Sequence, residues 1–173
     1  STTASAATYY LDANNGNDSN NGSINSPWRT MGKAQKLGGG NTVIVADGKY
    51  GKFVDGTIRN DWLTFKAAAG ARPRLEHISV GWNGGDRVGG FSGGVFIRID
   101  GFHVKAPVGF QDKIVKSRGG NYFELLNSRV EGSPNPAGKN KGYWDLNHAA
   151  VWLVANHIKI HHCELSDAKR GIE

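Results

Sequence analysis

The sequence predicts an all-β solenoid assembled from a repeated strand–bend–strand unit, and three observations carry that prediction. Three stretches, beginning at Phe96, Tyr122 and His157, superimpose as nine-residue units spaced 26 and then 35 residues apart, as expected of stacked coils with a loop inserted in one of them. Glycine makes up 25 of 173 residues, about twice the usual share of roughly 7%, which favours short strands and tight turns. No stretch outside residues 28–37 sustains a 3.6-residue apolar period, so long helices are not expected.

Within each unit the second and fourth positions are apolar: Ile97 and Ile99, Phe123 and Leu125, Ile158 and Ile160. That is the period-2 signature of a strand with one buried face. The sixth position is Gly101, Asn127 or His162, residue types that tolerate a left-handed backbone. Beyond that corner the seventh and ninth positions face inward again: Phe102 and Val104, Ser128 and Val130, Cys163 and Leu165.

The chain opens with Ser1-Thr2-Thr3-Ala4-Ser5-Ala6-Ala7, small and polar, read as a leader or linker remnant over 1–7. A strand is expected over 8–12. The Asn-, Asp-, Gly- and Ser-rich run from Asp12 to Ser26 follows; such residues build turns with their own side chains. The spacing Asp12, Asn14, Gly16, Asp18 loosely resembles a calcium loop but lacks its later ligands, so turns are expected there. Ser26-Pro27 is a helix-start signal, and Trp28, Met31, Ala34 and Leu37 fall on one side of a helix over 28–37 that Gly38-Gly39-Gly40 ends. Strands follow at 42–45, 63–65 and 77–80. A solenoid end exposes core and strand edges, and the helix is the expected N-terminal cap. Arg170-Gly171-Ile172-Glu173 reads as the start of another coil, so truncation within a coil, or self-association at that end, is expected.

The single Cys163 rules out an internal disulfide, and its inward position predicts a small apolar role. The net charge of +6 favours acidic partners. The cations are scattered and no nucleic-acid-binding signature is present, so nucleic acid is not expected. No run of 18 apolar residues occurs, so no membrane-spanning helix is expected either.

Tyr9-Tyr10-Leu11-Asp12, Gly16-Asn17-Asp18, Pro27-Trp28-Arg29-Thr30, Asn41-Thr42-Val43-Ile44-Val45 and Asp47-Gly48-Lys49-Tyr50 resemble the opening of secreted right-handed parallel β-helix proteins, the pectate-lyase-like polysaccharide lyases and their relatives. Leu63-Thr64-Phe65-Lys66-Ala67, Gly70 and Arg72-Pro73 resemble the next segment of those families, and the repeats continue it over nearly the whole chain. The resemblance implies a single right-handed parallel β-helix of about five coils with a short capping helix, and a secreted, extracellular protein. It is specific for fold and weak for substrate, since lyases, hydrolases, epimerases and adhesins share this opening.

The resemblance further implies three strands per coil and a glycan groove along the outside of the first. The aligned units supply the second and third, which places the first near 113–116, 149–153 and 171–173, bordered by the insertions 81–95 and 131–148. Trp152 alternates outward between Val151 and Leu153 and is a candidate sugar-stacking platform. Trp144, Tyr143 and His148 join it as candidate substrate contacts, with Trp82 a weaker one. Elimination from a uronic acid needs its carboxylate neutralised, by calcium or a cation, and a base to take the α-proton. By resemblance Lys113 or Lys116 is the base, Arg118 a carboxylate clamp, and Asp145 with Glu173 the calcium ligands.

The function expected on these grounds is a polysaccharide lyase acting on an acidic glycan. A non-catalytic glycan-binding or adhesion solenoid is the alternative, as is a glycoside hydrolase drawing two carboxylates from Asp145, Asp167 and Glu173. His148, His157, His161 and His162 are explained by their places in the repeat, with no zinc pattern among them. Arg98, Glu124 and Lys159 occupy equivalent outward positions with alternating sign, the pattern of a cross-strand ion-pair ladder.

Overall fold

The computed structural model describes residues 6–81, 94–108, 110, 112–132 and 151–166. Strand β1 (Thr8–Leu11) and the short helix α1 (Met31–Ala34) precede the coils. The first coil holds β2 (Thr42–Val45) and β3 (Lys52–Asp55), and the second β4 (Leu63–Ala67), β5 (Arg74–Leu75) and β6 (His77–Val80). The third holds β7 (Ile97–Asp100), β8 (His103–Lys105) and β9 (Val115–Arg118), and the fourth β10 (Phe123–Leu126), β11 (Arg129–Glu131) and β12 (Val151–Val154). The described part of the fifth holds β13 (Ile158–His161) and β14 (Glu164–Ser166).

Each strand pairs in parallel with its equivalent on the next coil, giving sheets ordered β1-β2-β4-β7-β10-β13, β5-β8-β11-β14 and β3-β6-β9-β12. The molecule is a parallel β-helix. Because side chains alternate across a strand, each sheet sends in-register ladders into the core. Val43, Phe65, Ile99 and Leu125 form one, all fully buried. Phe53, Ile78, Val115 and Val151 form another beneath the β3–β12 sheet.

The strand–bend–strand register is the observed one. The corner residues Gly101, Asn127 and His162 all have positive φ, at 84°, 47° and 52°. Ser128, polar yet inward, is buried because its hydroxyl donates to Leu126 O (2.7 Å) and accepts from Phe102 N (3.1 Å). Cys163 is half-buried, its thiol 3.4 Å from Leu125 O. The charge ladder is in register, with Arg98 Nε donating to Glu124 at 2.6 Å and Lys159 opposite Glu124 on β13.

A second corner escaped the pattern reading. The first position of each unit is also left-handed: Phe96 (φ 47°), Tyr122 (61°) and His157 (57°). Such a conformation costs a bulky residue on the order of 1–3 kcal/mol. The rings offset it by stacking, Phe96 on Tyr122 at 4.2 Å and Tyr122 on His157 at 4.4 Å.

The N-terminal turns use their carboxylates internally. Asp12 Oδ1 accepts from the backbone of Asn14 and Asn15, and Asp18 accepts from Arg29 N, Thr30 N and Thr30 Oγ1. The capping helix is shorter than the expected 28–37. It covers Met31–Ala34, with Thr30 rather than Ser26 as the residue whose side chain accepts from Lys33 N. Trp28 is held extended instead, bridged to Leu11 and stacked on Tyr9 at 4.8 Å. Trp28, Met31 and Ala34 are nonetheless all buried.

Candidate functional site

The outer face of the β3–β12 sheet collects the chemistry. Its inward positions are filled by the ladder above, so alternation turns Lys52 and Val54 of β3, His77 and Ser79 of β6, Lys116 and Arg118 of β9, and Trp152 of β12 to the other side. Strand β9 covers 115–118 rather than the expected 113–116, because Val115 and Ser117 are the residues buried in register with Ile78 and Val80. Lys113 therefore lies just before the strand and Arg118 at its exposed end.

Three of the sequence-derived residues come together. Trp152 stands directly opposite Lys116 on the adjacent strand. The Lys113 ammonium lies 5.8 Å from the centre of the Trp152 ring, within cation–π range. Trp152 itself is half-buried. Arg118 pairs in register with Val154, at the rim of the face and beyond Trp152. Tyr143, Trp144, Asp145, His148 and Glu173, with Trp82 and Asp167, lie outside the described residues.

The structure adds residues that no sequence pattern singled out. A cleft of about 300 Å³ opens beside Lys116, lined by Lys52, Val54, His77, Ser79, Phe110 and Asp112. The Lys116 ammonium donates to Asp112 Oδ2. Burial alone would raise the Asp112 carboxyl, but the hydrogen bonds from Lys116 and from Lys113 N outweigh it and hold it below the usual carboxylate range. Asp112 is therefore ionised at neutral pH, the anionic member of a basic cleft.

His77 is only 7% exposed, its ring 5.3 Å from that of Phe110. Its Nε2 is buried with no hydrogen-bond partner. Burial first and then the Lys116 charge push its pKa down to about 4, with an upward pull from Asp112 ranking next and a lesser downward push from Lys52 last. The unfolded chain takes up this proton near pH 6.5 and the folded chain only near 4. The contribution of neutral His77 is thus complete above about pH 6.5 and is lost as pH falls to 4. With solvent screening discounted, the loss is on the order of 2 kcal/mol. Melting temperatures between pH 7 and 4 are expected to fall more steeply for the native chain than for His77→Gln; equal slopes would rule the contribution out.

Among the described residues no three His, Cys, Asp or Glu side chains converge on a point that could hold a metal ion. The expected calcium ligands Asp145 and Glu173 are not among those residues. No helix among the described residues is long and apolar enough to cross a membrane.

A family model described as a protein of unknown function (DUF1565) matches residues 14–57. No curated protein matches the chain. A solved structure of a rhamnogalacturonan lyase aligns with 97% of this chain at 15% identity and a TM-score of 0.44, and the chain spans 63% of that lyase's length.

Proposed function

We propose that the outer face of the β3–β12 sheet binds an acidic polysaccharide, and that the protein is a secreted polysaccharide lyase cleaving it by β-elimination. One observation supports this most directly: Lys113 lies over Trp152 while Lys116 stands opposite Trp152 on the neighbouring strand. A sugar ring presents C–H groups that suit the indole face, and a uronate carboxylate suits the two ammonium groups beside it.

The chemistry follows from the substrate class. A base takes the proton on the ring carbon bearing the carboxylate. The electron pair freed from that C–H bond forms a ring double bond, and the glycosidic oxygen on the next carbon leaves and is protonated. Cations on the carboxylate stabilise the charge that develops in this step. In this reading Lys113 or Lys116 takes the proton, Arg118 holds a carboxylate, and Tyr143, Trp144 and His148 complete the sugar contacts. Calcium, if used, is held by Asp145 and Glu173. One observation favours the non-catalytic alternative: Lys116 already donates to Asp112, which suits a fixed cation better than a proton acceptor.

The test is incubation with acidic and neutral polysaccharides, with calcium or with chelator, followed by product masses. Products one water lighter than hydrolytic fragments establish elimination, and their loss on chelation establishes the calcium dependence. Saturated products point to a hydrolase. Binding without products leaves a glycan-binding solenoid, and binding of neutral glycans alone defeats the acidic reading. Trp152→Ala is expected to weaken binding about tenfold by removing the stacking face; unchanged affinity would move the groove elsewhere.

A further inference from the structure

His77 is built into the outer face in an unusual way. Alternation puts Ile78 and Val80 inside, so His77 and Ser79 point outward. Both are buried all the same, at 7% and 3% exposure, in the cleft that Phe110 and Asp112 line from the chain leading into β9. A buried imidazole nitrogen without a partner is costly to keep. Lys52 stands opposite it on β3, and Lys116 lines the same cleft.

We infer that this cleft is a carboxylate subsite in which His77 takes up a proton as an anionic ligand binds and donates it in a hydrogen bond to the ligand. The inference rests on the acidic-glycan reading above and assigns that face a specific recognising residue. The cleft, at about 300 Å³, is at the lower end of small-ligand sites and suits one sugar residue rather than a chain. Its charges select the ligand: Lys52 and Lys116 outnumber Asp112, so a cation is repelled and an anion attracted. A neutral hydroxyl would answer Nε2 but leave both ammonium groups without a new partner.

The groups facing His77 are Lys52 from β3, Lys116 from β9, and Asp112 from the segment before β9. Asp112 is held ionised by its hydrogen bonds. His77 is the group whose titration a bound carboxylate brings into the range pH 5 to 7. In the free protein it protonates near pH 4, and a bound carboxylate supplies the opposite charge that favours the imidazolium. Proton and ligand then bind together: the proton comes from solvent, and affinity rises as pH falls. If the ligand restores the ordinary value of about 6.5, binding at pH 5 is about twentyfold tighter than at pH 7.

The test is isothermal titration of the native chain with hexagalacturonate at pH 5 to 7, in pairs of buffers of different ionisation enthalpy. His77→Gln and a neutral cello-oligosaccharide serve as controls. The expected result is uptake of up to one proton near pH 5–6, an affinity about twentyfold higher at pH 5 than at pH 7, and neither effect in His77→Gln. Because His77 is buried, the imidazole titration is also followed by NMR in the native chain with and without hexagalacturonate. Its midpoint is expected to move up from about 4, which keeps the test decisive if the variant folds poorly. Binding without proton uptake, or a midpoint that does not move, overturns the subsite and leaves the acidic-glycan reading standing. Failure of the native chain to bind hexagalacturonate at any pH overturns both.

Discussion

Replacing Arg59 by Met is expected to lower the unfolding free energy by about 3–5 kcal/mol, the cost of leaving a buried charge unpaired. Arg59 and Asp55 have side chains only 2% and 1% exposed and meet at 2.9 Å between Nη2 and Oδ2. The guanidinium also donates to Gln35 O (2.7 Å), Leu37 O (3.2 Å), Thr57 O (3.2 Å) and Val95 O (3.3 Å). One side chain thus ties the segment after α1, the exit from β3 and the entry to β7. Its loss strands the Asp55 carboxylate and several carbonyls at once. For a chain of this size each kcal/mol moves the melting temperature by roughly 2–4 °C, so a drop of roughly 10 °C is expected. The double variant Asp55→Leu, Arg59→Met removes both charges and is expected to recover part of the loss. A single-variant cost below about 1 kcal/mol in urea titration would mean that the pair behaves like a surface ion pair.

Phe65→Ala is expected to cost a comparable 3–5 kcal/mol. Phe65 is fully buried at the middle of its ladder, between Val43 on one coil and Ile99 on the next. Its ring meets Phe53 edge-on at 5.1 Å. Truncation therefore opens a cavity that touches three coils and the underside of the sheet bearing the candidate site. Neighbouring coils are pinned by their own parallel ladders, so the space closes poorly and the cavity cost is retained. Phe65→Leu preserves most of the volume and is expected to cost less than about 1.5 kcal/mol. Equal losses for the two variants, measured by denaturant unfolding, would show that the site relaxes freely.

The β-helix was legible in the chain because its determinants are local. Alternation over four residues, a residue tolerant of positive φ at Gly101, Asn127 and His162, and renewed alternation specify strand, corner and strand without reference to anything distant. Stacking then follows, since only equivalent positions on neighbouring coils complete the ladders. The same local logic turned Trp152 outward, and the structure sets Lys116 opposite it on the adjacent strand. The helix was overextended because Trp28 matches a helical period, and only its contacts with Tyr9 and Leu11 show it to be extended.

What the chain by itself determined, then, was the repeat, its corners and the side of each strand that faces the core. Tertiary structure alone decided how the outward residues are used. His77-Ile78-Ser79-Val80 reads as an ordinary half-buried strand, and nothing within it says that its outward histidine is covered. That depends on Phe110, 33 residues further on, and on Asp112 pairing with Lys116 across the same cleft. Left-handed Phe96 and Tyr122 run against local preference and are held by ring stacking between coils. The physical reason is common to all of these. Alternation and bend propensity are properties of a few consecutive residues, whereas burial, charge pairing and a displaced pKa arise from neighbours that only the completed coil brings within reach.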